Sequence, residues 1–214
     1  MLLFKKKQDI FDELVVAFPK SLEKDVKRVS KTLVATHPNY PISNDGEVFV
    51  VDSEEVYVPY RCYFNESSNN NILTKQQKEI YACIFLLHHD GYIREKYTRY
   101  LLKGEIKSWM LPFLFKLSGE YVIEIIEVLY HNLKLGNTDI LKEFSKNNPK
   151  QAQRYYGKMT SYWDCYYRDT TLRPCVSREG RHGMKANIKF YVGVHLFKEC
   201  WGIKQLKRGV KIND

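Results

Sequence analysis

Between residues 74 and 134 the chain passes through four apolar-periodic segments cut by short breaks. This alternation limits the fold more than any other feature of the 214 residues. Thr74-Lys-Gln-Gln77 has the form of a capping box, in which the threonine hydroxyl accepts from the amide three residues on and the glutamine returns the bond, so that two orphaned backbone donors are satisfied. It opens a helix through Ile80, Cys83, Ile84 and Leu87, broken at His88-His89-Asp90-Gly91. A second helix over 92–103 is expected to turn Ile93, Tyr97, Tyr100 and Leu101 inward and Arg94, Glu95, Lys96 and Arg99 outward, before Gly104 stops it. A third starts near Ser108, with Pro112 in its first turn where a missing amide does little harm, and ends at Ser118-Gly119. The fourth, 120–134, aligns Val122, Ile125, Ile126, Leu129 and Leu133 in one stripe and leaves Glu120, Glu124 and Glu127 to water. Short turns between such helices favour consecutive antiparallel hairpins.

The flanks read differently. Residues 8–18 and 20–36 are expected as helices separated at Pro19, the second ending before His37-Pro38, because a residue preceding proline is pushed out of the α region. Glu47–Val51 and Val56–Phe64, joined by Asp52–Glu55, have the composition of a β-hairpin, with Pro59 marking an edge strand. After a short helix near 138–146, residues 150–168 form a helix with Tyr155, Met159, Tyr162, Trp163 and Tyr166 on one face and Arg154, Lys158 and Arg168 on another. Residues 169–187 lack periodicity and suit a loop. Ile188, Phe190, Val192, Val194 and Leu196 alternate with Lys189, Tyr191, Gly193 and His195, which argues for a strand that could join the hairpin. From Trp201 onward a basic tail is expected.

Leu87-His-His-Asp-Gly-Tyr-Ile-Arg-Glu95 and Leu117-Ser-Gly-Glu-Tyr-Val-Ile-Glu124 share a pattern, and with it the segment 74–134 resembles two HEAT-like helical hairpins. That resemblance implies a binding scaffold. It covers about 60 residues and departs from the family in repeat number, since solenoids generally need three or more units. An ordinary helical bundle accounts for the same pattern.

Charge carries the functional signal. Residues 1–149 hold 20 Lys and Arg against 20 Asp and Glu, whereas residues 150–214 hold 14 against 5, so the whole net charge of +9 lies in the last segment. Ten of the 30 aromatics lie there as well. Cations neutralise phosphates and rings stack on bases, so Arg154, Lys158, Arg168, Arg178, Arg181 and Lys185 are the candidate nucleic-acid residues. A solvated basic tail has the same composition.

Signatures of catalysis are absent from the sequence: no GxGxxG, no GxxxxGK[ST], no HExxH, GxSxG or CxxC. A catalytic reading rests on His88 and His89 beside Asp90 with Arg94 one turn on, where an imidazole paired with a carboxylate can act as base and an arginine can hold an anion. Ordinary capping and turn chemistry explains the same residues, with Asp90 as N-cap and Gly91 at positive φ. Cys165, Cys175, His182, His195 and Cys200 contain zinc-ligand types but not the close ligand pairs of a structural zinc site, so no metal is expected, and no cofactor. Five widely spread cysteines and the absence of a leader or a membrane-length apolar run place the expected protein in the cytoplasm.

The sequence therefore predicts an α+β fold, mainly α, with stacked helical hairpins and a small antiparallel sheet. One compact domain is expected, in three regions: 1–72, 73–148 and a basic aromatic 149–214. The leading function is a non-enzymatic binding or adaptor protein contacting RNA or DNA through the last region. The alternatives are a protein partner on the 74–134 helices, and an enzyme using His89, Asp90 and Arg94.

Overall fold

The computed structural model describes residues 13–36, 40–66, 72–136, 138–167 and 188–203. Helices dominate, with small antiparallel strand pairs, giving the expected α+β, mainly α class. The chain divides into two compact units, Met1–Leu114 and Phe115–Asp214. The division falls inside the third of the four central helices, a place that composition does not mark.

In the first unit, a 3-10 turn at Lys20–Leu22 leads into α1, Glu23–Ser30, whose Val26 and Val29 are fully buried. The helix stops well short of the expected residue 36. Ser30 Oγ donates to the Val26 carbonyl and Thr32 Oγ1 to the Val29 carbonyl, local bonds that compete with helix propagation. The chain then extends into β1, Val34–Ala35, and pairs antiparallel with β4, Phe64–Asn65. Between these lie β2, Gly46–Val51, and β3, Glu54–Pro59, in register from Gly46 opposite Pro59 to Val51 opposite Glu54. The connector is tighter than expected. Asp52 and Ser53 form the whole turn at φ 49° and 69°, the two-residue geometry whose twist matches that of the strands. Phe49 and Val56 pair across the buried face, and Gly46 is obligatory, because a Cβ there would meet the Tyr57 ring at 2.6 Å.

Helix α2, Lys75–Phe85, carries the expected capping box: Gln77 N donates to Thr74 Oγ1 at 3.3 Å and Thr74 N to Gln77 Oε1 at 3.2 Å. Every residue from Glu79 to Phe85 is buried, so this is the central helix of its unit, flanked by α1 and by α3, Gly91–Leu101. Gln76 and Gln77 donate to the two carboxylate oxygens of Asp25 on α1, both at 2.8 Å, which sets the contact between α1 and α2. A 3-10 turn, Ser108–Met110, precedes α4, Leu111–Leu117, with Pro112 in the first helical turn; Phe113 stacks on Phe18 at 4.9 Å.

The second unit contains α5, Ile123–Leu133, α6, Thr138–Asn147, and α7, Pro149–Tyr162, which continues as a π-helix over Trp163–Tyr167. The α5 stripe is as expected at Ile125, Ile126, Leu129 and Leu133, all buried, but Glu120 is buried too rather than facing water. The segment expected as a strand is helical: a 3-10 turn at Ile188–Phe190, α8 at Val192–His195, and a π-helix at Leu196–Cys200. Val192, Leu196 and Cys200, with Phe197 and Trp201, form a stripe of period near four that competes with the period-two reading, and burial of that stripe decides the outcome. Trp201 is the hub of this core rather than the start of a tail. It meets Phe115 edge-on at 4.6 Å, its indole donates to Ser118 Oγ at 2.9 Å, and Ser145 Oγ donates to its carbonyl at 2.6 Å. Among the described residues no helix is long and apolar enough to cross a membrane.

Candidate nucleic-acid interface

Helix α7 starts with Pro149, which is pre-set for the first helical position, and buries Ala152, Tyr155 and Met159 against its unit. The solvent side is set by subtraction. Lys150, Arg154 and Lys158 follow at four-residue spacing, each about 6 Å further along the axis. Lys150 and Arg154 are exposed and Lys158 is half-buried, its Nζ 4.8 Å from the centroid of the Tyr155 ring. Tyr162 and Tyr166 follow toward the C-terminal end, where four-residue steps have turned the row round the helix toward its packed side, so the cations and the tyrosines share the helix but not one face.

The tyrosines belong to a larger cluster. Tyr121, Tyr162 and Tyr166 form a triangle with centroid separations of 5.9, 5.9 and 6.2 Å, all tilted or edge-on. Tyr166 is 54% exposed and Tyr121 47%. Tyr167, next on the π-helix, turns the other way. Its hydroxyl donates to the Tyr121 carbonyl and its ring stacks on Tyr191 at 5.7 Å, tying the cluster to the core beneath. Burial raises the pKa of Tyr167, and the neighbouring Glu124 carboxylate adds to this; Tyr191 is likewise pushed up by burial. The exposed Glu124 and Glu127 on α5 make the Tyr167 side of the cluster acidic, opposite in sign to the α7 ridge.

Of the six nucleic-acid candidates, Arg154 and Lys158 are on this ridge, while Arg168, Arg178, Arg181 and Lys185 lie outside the described residues. Tyr121 was missed. It is far from α7 in sequence and sits just before a helix, so no local pattern joins it to Tyr162 and Tyr166.

The residues weighed for catalysis are engaged elsewhere. Asp90 is the N-cap of α3, accepting from Tyr92 N at 2.9 Å, and Gly91 is the first helical residue rather than a positive-φ turn. His88 is buried: its Nδ1 accepts from the Asp90 amide and its Nε2 faces the Phe64 carbonyl at 3.0 Å, which defines the neutral Nε2-protonated ring. Burial, the nearby His89 adding to it, lowers the His88 pKa. Arg94, expected outside, is only 1% exposed, and its guanidinium donates to the His88 and His89 carbonyls at 2.8 and 2.9 Å. There it satisfies two carbonyls of the turn between α2 and α3. Tyr100, expected inside, is 44% exposed in its place. His89 is exposed and stacks on Tyr63 at 5.2 Å.

Of the zinc-ligand types, Cys165 is exposed, and Cys200 is buried with its thiol pushed up to about 12 by that burial. His195 lies between two acceptors, Glu199 Oε1 at 2.9 Å and the Lys189 carbonyl at 3.1 Å. Cys175 and His182 lie outside the described residues. Glu199 gathers a network: Tyr130 OH donates at 2.9 Å and Lys134 Nζ lies at 3.1 Å. The His195 hydrogen bond, aided by Lys134 and Tyr130 and opposed by partial burial, lowers the Glu199 pKa to about 2. The i, i+4 pairing of His195 with Glu199 is visible in sequence only if the segment is read as helix. No family model, no curated protein and no solved structure matches the chain.

Proposed function

We propose that the chain is a non-enzymatic binding protein whose Phe115–Asp214 unit contacts RNA or DNA. The observation that carries this reading is the α7 helix, on which Lys150, Arg154 and Lys158 repeat every four residues ahead of the exposed Tyr166. The charge balance supports it, since residues 150–214 hold 14 cationic against 5 acidic side chains. Phosphate neutralisation by such a ridge is independent of base sequence and weakens steeply with salt.

The test is fluorescence anisotropy of the intact chain with labelled single-stranded RNA and duplex DNA at two salt concentrations. Binding should fall with log salt by a slope of about −0.7 to −0.9 per phosphate neutralised. Arg154→Glu with Lys158→Glu should lower affinity for every probe. Absence of binding at low salt, or binding unchanged by the charge reversals, refutes the reading.

A second reading has one observation in its favour: α3 presents Tyr92, 85% exposed, and Tyr100 on its outer side, an apolar-topped surface suited to a protein partner. On this reading binding would follow Tyr92 and Tyr100 and ignore Arg154 and Lys158.

A further inference from the structure

The tyrosine triangle at the end of the α7 ridge has a role that charge does not cover. We infer that Tyr121, Tyr162 and Tyr166 form a stacking platform for unpaired bases, so that the ligand of this unit is a single strand rather than a duplex. The inference rests on the nucleic-acid reading above and names the form of nucleic acid that the same site takes.

Three observations support it. Two of the three rings, Tyr121 and Tyr166, are about half exposed, while the nearby Tyr191 is buried. Second, the rings hold each other: each of the three pairs lies within 6.2 Å, and the Tyr167 hydroxyl fixes the Tyr121 backbone from below. Rings already ordered in the free protein lose little rotamer entropy on binding. Third, the platform stands at the C-terminal end of the helix that carries Lys150, Arg154 and Lys158, one turn beyond Lys158. A strand whose phosphates meet Lys158 can therefore bring neighbouring bases to Tyr162 and Tyr166. A duplex offers its phosphates but hides its base faces in the stack, whereas every base of a single strand has a face to offer, whatever the sequence. The acidic Glu124 and Glu127 beside Tyr167 exclude phosphates from that flank and leave the α7 side as the path of the strand. The exposed π-helical turn that carries Tyr166 is a form often found at functional sites.

The experiment compares two labelled oligomers of equal length and charge, a single-stranded RNA and its abasic counterpart, with the intact chain at fixed low salt. Wild type should bind the base-bearing strand at least tenfold more tightly, since each stacked base adds affinity that the abasic strand lacks. Tyr166→Ala and Tyr121→Ala should each remove most of that difference without changing affinity for the abasic strand. Tyr166→Phe should keep it, because the ring and not the hydroxyl does the stacking. Thermal melting of each variant verifies that the unit is folded. Equal affinity for the two strands, or a preference that survives both alanine variants, overturns the platform while leaving the charge-based reading intact. Failure of both strands to bind overturns both. Retention of the preference by Tyr166→Phe but its loss in Arg154→Glu alone, with Tyr166→Ala silent, would also overturn the platform.

Discussion

The helix turn at 88–94 and the end of α7 make opposite uses of residues that look functional. At the turn, His88, Asp90 and Arg94 have the types of an active site, yet each is consumed by backbone: a buried ring bonded at both nitrogens, an N-cap, and a guanidinium on two carbonyls. At the end of α7 the residues are chemically plainer, cations and tyrosines, but Lys150, Arg154 and Tyr166 are exposed. The lesson concerns exposure rather than residue type. A buried polar group bonded to the backbone stabilises the fold, and an exposed group on an ordered helix can meet a ligand.

The largest expected effect concerns neither region but the core that supports the second. Ile126 is fully buried on α5, and Ile126→Asp places a carboxylate there without a partner. It should cost ~4 kcal/mol or more and abolish the cooperative melt of the unit. A melting temperature equal to wild type would contradict the burial on which the α7 platform depends.

Next comes Arg94→Met, which keeps the stem and removes the donors to the His88 and His89 carbonyls. Loss of these buried bonds should destabilise by about 2–3 kcal/mol in urea denaturation, with nucleic-acid affinity unchanged at temperatures where the chain is folded. Loss of binding without loss of stability would turn the comparison round and make Arg94 a ligand contact.

Smaller effects separate the units by pH. His88 has its pKa lowered by burial below the ordinary 6.5, so as pH falls through 6.5 the unfolded chain takes up a proton that the folded one refuses, and stability declines. Glu199 is pulled from 4.5 to about 2, so its contribution is complete above 4.5 and is lost as pH falls from there toward 2. Glu199→Gln should therefore cost about 1 kcal/mol at pH 7, a modest figure because the carboxylate is partly exposed, and the difference from wild type should close by about pH 2. Denaturant midpoints of wild type, Glu199→Gln and His88→Asn between pH 7 and pH 2 measure both windows. A His88→Asn difference that grows as pH falls would contradict the neutral ring.

Local signals were legible in the sequence. The Thr74–Gln77 capping box, the hairpin over Gly46–Pro59 and the α5 stripe each depend on neighbours within a few residues, and each stands in the structure. What the sequence could not show depends on distant partners. Arg94 is inside because the His88 and His89 carbonyls of the turn after α2 need donors, and the Val192–Trp201 stripe is helical because α5 and α6 pack on it. Helix α1 ends early through its own hydroxyls, a local cause outweighed in the reading by the run of Val26, Val29 and Leu33. Arg154 and Lys158 were legible by helical spacing, but the joining of Tyr121, in the loop before α5, to Tyr166 depends on the tertiary fold.

Ultraviolet crosslinking of the intact chain to single-stranded RNA, with adducts mapped by mass spectrometry, tests the contrast between the two regions most directly. The account predicts adducts at Tyr121, Tyr162 or Tyr166, suppressed by high salt and by Arg154→Glu with Lys158→Glu. Adducts confined to Tyr92, Tyr100 or His89 in the first unit would contradict it.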